Sequence, residues 1–128
     1  MQPLTPNAER VLEARYLARD EAGRIVEDWD GLCRRVARGV AAVEKEWGGD
    51  AGHWEEAFFR AIRRREFLPN SPTLMNAGMQ IGQLAACFVL SVEDTLASVF
   101  EAVKEMAVIH QSGGGTGFDF SALRPAGD

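Results

Sequence analysis

The sequence has few of the residues that stabilise small proteins through metals or disulfides. Its 128 residues include two cysteines and two histidines, at scattered positions. Cys33 and Cys87 lie far apart and do not form the disulfide framework of a small secreted domain. Two cysteines and two histidines without regular ligand spacing also make no zinc site. We therefore expect free thiols and no bound metal.

Positive charge and long apolar segments are also scarce. Lysine and arginine total 14 against 19 acidic residues, and the net charge is -5. This balance argues against binding along a DNA or RNA backbone, although a local donor cluster can still hold a small anion. The first ten residues contain no apolar signal core, and no run is long enough to span a bilayer. We expect a cytoplasmic protein that binds neither nucleic acid nor membrane.

Apolar residues at helical spacing predict two helices in the first half of the chain. The first has one apolar stripe and is expected to end at Gly48-Gly49; the stripe consists of Leu32, Val36, Val40, Val43 and Trp47. The second helix carries its apolar side at Trp54, Phe58, Ala61 and Ile62. Hydrophobic residues make up 46% of the chain, enough for a small domain with a core.

The segment that follows these helices predicts an irregular region and then a strand. Residues 68–82 contain Pro69 and Pro72, so we expect an ordered loop without a regular helix. Residues 84–90 carry no charge, and their length and composition favour a buried strand around Cys87.

The last third of the chain predicts a long helix and a glycine-rich loop. Ser91 and Asp94 fit a capping box for a helix that runs to about His110 with a wide apolar face. Four glycines within residues 111–117 predict a loop without regular structure, and a short strand is expected to begin at Phe118.

Several residues allow either a structural or a chemical interpretation. Cys87 is typical of a small buried hydrophobe, or of a redox or nucleophilic thiol. The glycine run fits a tight connection or a cradle for phosphate. Ser71 and Thr73 fit local turn bonding or phosphate binding. Asp94 fits a helix cap or an acceptor for sugar hydroxyls. His110 is expected to satisfy the last helix carbonyls.

Four segments, taken together and in order, resemble the adenosylcobalamin-dependent (class II) ribonucleotide reductases. They are LPNSPTLMNAG at 68–78, QLAACFVL at 83–90, HQSGGGTGFDF at 110–120 and LRPAGD at 123–128. Shorter stretches such as Arg15-Tyr16-Leu17 and Arg35-Val36-Ala37 look like the family's N-terminal helical region. The resemblance covers essentially the whole chain, and the choice of class II over class I depends on the wording of these motifs.

The resemblance implies an α/β fold in which helices precede a ten-stranded α/β barrel. Residues 1–67 are expected to form the N-terminal helical region. Residues 68–128 are expected to begin the barrel, with a substrate loop, the cysteine strand, a helix at the dimer and effector site, and the glycine-rich loop. The barrel cannot close with the strands available, so we expect it to be incomplete.

The resemblance also implies roles at a substrate site. Cys87 matches the cysteine that reduces the 2′ position and then forms a disulfide with a cysteine far downstream. Ser71 matches a contact to the substrate phosphate, and Thr73 offers a second hydroxyl beside it. By the same resemblance, Ala86 is expected to lie beside the ribose. The backbone of Gly114 and Gly115 packs against the substrate.

A second set of implied roles concerns regulation and assembly. Asp94 matches a residue that holds the sugar of an allosteric deoxynucleoside triphosphate, and Arg124 matches a loop residue near its phosphates. The helix over residues 95–110 matches the interface helix of a homodimer. The expected partners are therefore a ribonucleotide substrate, a deoxynucleotide effector and a second copy of the chain.

The family chemistry implies a cofactor and further parts of the protein. Adenosylcobalamin would supply the radical, and a cysteine pair would supply two electrons that a thioredoxin-like reductant restores. The thiyl-radical cysteine, the catalytic glutamate and asparagine, and most of the cobalamin site lie downstream in the family. We therefore expect this chain to be inactive alone and to need the remaining barrel, which can be encoded separately.

Other interpretations stay open at the level of sequence. A ribonucleoside-diphosphate reductase is the leading hypothesis, and a triphosphate substrate is compatible with the same motifs. A free-standing module for deoxynucleotide binding or dimerisation would keep the effector helix without catalysis. A decayed remnant is a third hypothesis, against which the intact motifs from Ser71 to Asp128 argue mildly.

Overall fold

The computed structural model describes residues 3–127, which divide into two compact units. The first unit ends at Leu84 and the second begins at Ala85. Asp128, the last residue of the predicted LRPAGD segment, lies outside the described residues. The predicted division at residues 67 and 68 concerns the domains of a complete reductase and stays a prediction. In the structure, residues 68–84 belong to the first unit.

The first unit is built from four α-helices and a 3₁₀ helix within the described residues. They are α1 (Pro6–Arg15), α2 (Trp29–Ala41), the 3₁₀ helix (Ala42–Trp47), α3 (Ala51–Arg63) and α4 (Ser71–Asn76). A side-chain oxygen caps the N-terminus of every α-helix, because each is preceded by a suitable residue: Thr5, Asp28, Asp50 and Asn70.

The core of this unit lies between α2, α3 and α4. Its buried residues are Leu32, Cys33, Val36, Ile62, Leu74 and Ala77. The predicted stripe is thus confirmed over the first turns of α2. It is wrong for Val43 and Trp47, whose side chains are exposed; Trp47 is 83% exposed. The chain tightens into the 3₁₀ helix after Ala41, and three residues per turn rotate these side chains out of line with the α-helical stripe. Gly48 ends the helix in a left-handed conformation, as predicted.

The expectation of no regular helix in residues 68–82 is wrong. Helix α4 includes Pro72 in its first turn, where an amide hydrogen has no partner within the helix to lose. The side chain of Asn70 accepts a 2.9 Å hydrogen bond from the Thr73 amide and so caps the helix. Proline therefore marks a helix start here.

The second unit is a strand–helix–strand unit. Strand β1 (Cys87–Ser91), helix α5 (Leu96–Gln111) and strand β2 (Gly115–Asp119) follow one another, and the two strands pair in parallel. The register aligns Cys87 with Gly115 and Ser91 with Asp119. This two-stranded sheet is open, which confirms the predicted α/β class and the predicted incomplete barrel among residues 3–127.

Three local predictions for this unit are wrong. Ser91 closes β1, and Thr95 caps α5 instead by accepting a hydrogen bond from the Ser98 amide. The glycine-rich segment was expected to be a loop up to Gly117, but β2 already begins at Gly115. Hydrogen bonds to β1 in the parallel ladder hold these glycines in an extended conformation. The expected buried strand is alternately exposed, with Val89 77% exposed, because β1 has one neighbouring strand in the described chain.

Candidate substrate and effector sites

The predicted catalytic cysteine stands at the first position of β1. Cys87 is an exposed free thiol and is aligned with Gly115 across the ladder. The Gly115 amide donates a 2.6 Å hydrogen bond to the carbonyl of Ala86, the residue that precedes Cys87. Three of the predicted substrate residues are therefore adjacent, and the thiol is accessible to a ligand beside them.

Gly114 allows the end of α5 to approach the cysteine strand closely. A Cβ atom added at Gly114 would lie 2.6 Å from Cγ2 of Ile109 and 3.1 Å from Cε2 of Phe88. Such distances exclude a side chain unless the neighbours move. The turn also contains Gly113 with φ of 85°, a left-handed conformation that glycine adopts readily. The glycine run is therefore a tight connection that sets the backbone next to Cys87.

His110 makes a further contact across the same connection. Its Nε2 atom shares a 3.0 Å hydrogen bond with Oγ1 of Thr116 in β2. The expectation that His110 satisfies the last helix carbonyls is wrong. Ser112 does so, because its amide and its hydroxyl both donate to the Ile109 carbonyl.

The two predicted effector residues meet in the second unit. Nε of Arg124 donates a 2.6 Å hydrogen bond to Oδ2 of Asp94. Their side chains are 59% and 38% exposed, so both charged groups are accessible to solvent. Asp94 directly precedes Thr95, the N-cap of α5. A carboxylate that accepts from hydroxyls and a guanidinium that donates to phosphate are thus adjacent at one end of a helix.

Ser71 and Thr73 lie on α4 of the helical unit and differ in accessibility. Ser71 is exposed, and its Oγ atom lies 3.0 Å from the hydroxyl of Tyr16. Thr73 is buried, and its hydroxyl donates a 3.1 Å hydrogen bond to the Leu84 carbonyl. A contact between Thr73 and phosphate therefore requires its hydroxyl to rotate away from Leu84.

An ion pair that the sequence analysis did not single out holds this helix in place. The guanidinium of Arg35 donates to both carboxylate oxygens of Glu27, at 2.7 and 3.1 Å. It also donates to the carbonyls of Tyr16, Leu74 and Ala77. Both charged side chains are nearly buried. A buried charge needs a partner, so an arginine on the inner face of an amphipathic helix was the available signal.

The other cysteine lies in the core, where its thiol resists ionisation. Cys33 is fully buried, and this burial, with a further contribution from Asp30, raises the pKa of its thiol from 9.0 to about 12. The thiolate is the reactive form of cysteine, and Cys33 does not form it near neutral pH. Cys33 therefore contributes packing.

The described part of the chain has neither a metal-binding cluster nor a membrane-spanning helix. No cluster of three or more His, Cys, Asp or Glu side chains suited to a metal ion occurs among residues 3–127. In the same part of the chain, no helix combines the length and apolar character needed to cross a membrane.

A helical unit is followed by a parallel strand–helix–strand unit with a thiol at the start of the first strand, an arrangement that fits the first strands of an α/β barrel. Residues 2–82 match the family described as ribonucleotide reductase, all-alpha domain. Residues 85–128 match ribonucleotide reductase, barrel domain. The chain therefore belongs to the ribonucleotide reductase family, and the resemblance found in the sequence is confirmed.

Individual relatives agree with this assignment. The chain is 51% identical, over 94% of its length, to a vitamin B12-dependent ribonucleoside-diphosphate reductase of Mycobacterium tuberculosis, strain CDC 1551 / Oshkosh. It is 37% identical over 98% of its length to a protein of the same name from Thermoplasma acidophilum. A ribonucleoside-diphosphate reductase subunit alpha of Chlamydia muridarum is 32% identical over 88% of this chain. The chain spans 18%, 24% and 10% of these proteins, respectively. These matches do not favour the free-standing binding module.

Proposed function

We propose that this chain provides the reducing cysteine and the effector contacts of a reductase that converts ribonucleoside diphosphates to deoxyribonucleotides. The observation that carries the proposal is the exposed thiol of Cys87 beside Gly115, in the segment that matches the reductase barrel. The substrate class follows the names of the B12-dependent and alpha-subunit relatives.

The proposed reaction uses Cys87 as one of two reducing thiols. The bond between C2′ and its oxygen breaks, the oxygen leaves as water, and a hydrogen takes its place on the carbon. The two thiols are oxidised to a disulfide, which balances two electrons and two protons. The second thiol belongs to another part of the reductase, because Cys33 is buried in the core. A dithiol reductant of the thioredoxin kind then restores both thiols.

Substrate contacts on this chain would orient the nucleotide for that step. Ser71 is exposed and would donate its hydroxyl to a phosphate oxygen. Thr73 would join it after rotation of its hydroxyl. Ala86 and the backbone of Gly114 and Gly115 would flank the ribose, because the register of β1 and β2 places Gly115 beside Cys87.

Asp94 and Arg124 would bind a deoxynucleoside triphosphate as effector. The Asp94 carboxylate would accept a hydrogen bond from the sugar, and Arg124 would turn from Asp94 to the phosphates. Helix α5 would form a homodimer interface, and its exposed apolar side chains suit such a contact: Leu96, Phe100, Val103 and Val108.

Adenosylcobalamin is proposed as the radical source because two of the relatives are named vitamin B12-dependent. When bound, it would supply the radical that activates the substrate carbon. Its cobalt is held by the nitrogens of its own corrin ring, so a cluster of metal-ligating side chains is not the feature that would identify its site. We therefore assign no residue of this chain to the cofactor.

The proposal is tested by deoxyribonucleotide formation in the reductase that contains this chain. Cys87→Ala is expected to abolish sustained turnover with a dithiol reductant, because one of the two electron donors is lost. Cys33→Ala is the matched control and should retain activity when folded, since its thiol does not reach substrate. Full turnover by Cys87→Ala would exclude the proposed role of Cys87.

A further inference from the structure

The hydroxyl of Ser71 has a fixed neighbour in the helical unit. Tyr16 is the C-cap residue of α1, and its ring packs against the buried core of the unit. Its hydroxyl lies 3.0 Å from Oγ of Ser71. A serine hydroxyl on a surface helix ordinarily rotates among several positions. Here a phenol held by a packed ring restricts it.

Arg35 connects both partners of this hydrogen bond. From α2 it donates to the backbone carbonyl of Tyr16 at 3.3 Å. It also donates to the carbonyls of Leu74 and Ala77, at 3.3 and 2.8 Å, at the C-terminal end of the helix that carries Ser71. One planar guanidinium thus ties the segment bearing the phenol to the helix bearing the serine. A lysine cannot reproduce this set of directions.

The charge of Arg35 is balanced within the same network. Glu27 accepts two of its hydrogen bonds, and the side chains are 10% and 13% exposed. Oε1 of Glu27 also accepts a 2.8 Å hydrogen bond from the amide of Ala18, two residues after Tyr16. The carboxylate therefore also fixes the chain that leaves the end of α1.

A close backbone contact holds the far end of α4 against α2. A Cβ atom at Gly39 would lie 2.7 Å from the amide nitrogen of Gly78 and 3.1 Å from the carbonyl carbon of Ala77. Gly39 and Arg35 are one helical turn apart, so they face the same segment. The position of α4 is consequently set by α2 through both backbone and side chain.

We propose that Tyr16 and Arg35 are positioning residues that direct the Ser71 hydroxyl towards the phosphate of the substrate. This inference rests on the proposed function, in which Ser71 contacts that phosphate. When Tyr16 donates its hydroxyl hydrogen to Oγ of Ser71, the serine hydrogen is free to donate to a phosphate oxygen. Hydrogen bonds in such a chain strengthen one another.

The first test separates positioning from folding with a double-mutant cycle in the reductase that contains this chain. Tyr16→Phe removes one oxygen and retains the packed ring. We expect it to raise KM for the ribonucleotide about two- to tenfold with little change in kcat, the range of one lost hydrogen bond. In a Ser71→Ala background, Tyr16→Phe should add nothing further, because its effect acts through the serine hydroxyl.

The second test concerns the arginine. Arg35→Lys keeps a charge beside Glu27 and loses the bonds to the carbonyls, so it should also raise KM while kcat is retained. Arg38→Lys is the matched control, since Arg38 lies on the same helix and is largely exposed. It should leave KM unchanged. A thermal melt of each variant identifies any that fail to fold. If Arg35→Lys fails to fold, the result for Tyr16→Phe tests the positioning role.

The outcomes distinguish this inference from the proposed function. If Ser71→Ala raises KM but Tyr16→Phe does not, or if their effects add in the double variant, the positioning role is wrong and the substrate contact stands. If Ser71→Ala leaves KM unchanged, the proposed phosphate contact is wrong and the positioning role falls with it. A KM effect of Tyr16→Phe that vanishes in the Ser71→Ala background supports both.

Discussion

The guanidinium of Arg124 and the carboxylate of Asp94 form one hydrogen-bonded ion pair, with 2.6 Å between Nε and Oδ2. Their side chains are more than one third exposed, so the pair itself adds little stability, about 0–1 kcal/mol. A weak pair is readily exchanged for a ligand that bonds both groups. The proposed effector has a sugar hydroxyl for the carboxylate and phosphates for the guanidinium.

Arg124→Gln is therefore expected to weaken deoxynucleoside triphosphate binding about 10- to 100-fold, the range of lost hydrogen bonds to a charged group. Isothermal titration calorimetry on the reductase that contains this chain measures the affinity for the deoxynucleoside triphosphate. Lys104→Gln is the control, because Lys104 is an exposed cation of the same unit that pairs with Glu101. Equal affinities for Arg124→Gln and the unmodified protein would remove Arg124 from the effector site.

The glycine connection beside Cys87 yields a paired prediction. Gly114→Ala places a methyl group within 2.6 Å of Ile109 and should lower the free energy of unfolding by about 1–3 kcal/mol. It should also reduce turnover, because the backbone next to the thiol has to shift. Gly117→Ala is the matched control, since a Cβ there meets nothing within 4 Å. Chemical denaturation and a turnover assay compare the two, and equal effects would contradict the close-packing account.

The nearly buried ion pair of the helical unit should contribute strongly to stability. Glu27→Gln leaves the charge of Arg35 unbalanced and is expected to lower the free energy of unfolding by about 3 kcal/mol. Glu55→Gln is the comparison, because Glu55 makes only long ion pairs, at 3.5 Å with Arg38 and 3.6 Å with Arg34, whose side chains are 71% and 36% exposed. It should cost less than about 1 kcal/mol. Urea unfolding measures both, and a cost for Glu27→Gln as small as that for Glu55→Gln would contradict the assigned role.

The two cysteines should differ in reactivity and in their effect on pH dependence. At pH 8, iodoacetamide should label exposed Cys87 and leave Cys33 unlabelled until the protein is unfolded. The pKa of Cys33 is raised to about 12 in the folded protein, above its ordinary 9.0. Its contribution to stability is therefore complete below pH 9 and declines as the pH rises from 9 towards 12. Mass spectrometry of labelled peptides checks the first point, and equal labelling rates would contradict it.

Sequence patterns predicted the larger features because periodicity reports burial directly. The first turns of the α2 stripe follow from apolar spacing, and the strand–helix–strand order of the second unit follows from an uncharged apolar run, a wide apolar helix face and the alternation after the glycines. The cap of α5 could not be assigned securely, since Ser91 and Thr95 are both good caps and strand pairing decides between them. The sequence did not predict α4, because a proline can either end a helix or stand in the first turn of one, and Pro72 stands in a first turn.

The candidate sites also contain residues that the sequence predicted and residues that it did not. Motif wording brought together Asp94 and Arg124, and the structure joins them by a hydrogen bond. The same wording assigned no role to Tyr16 or Arg35. Their partners lie 55 and 42 positions away, at Ser71 and Ala77, and tertiary packing determines which distant groups a buried polar residue meets.

The most direct test of the central claim is the oxidation state of Cys87 after a single turnover. The reductase that contains this chain is reduced, freed of external reductant, given cofactor and ribonucleotide, and then alkylated under denaturing conditions. We predict that Cys87 becomes protected from alkylation in proportion to the deoxyribonucleotide formed, and that Cys33 stays fully alkylatable. Deoxyribonucleotide formation with Cys87 still fully alkylatable would contradict its assignment as a reducing thiol.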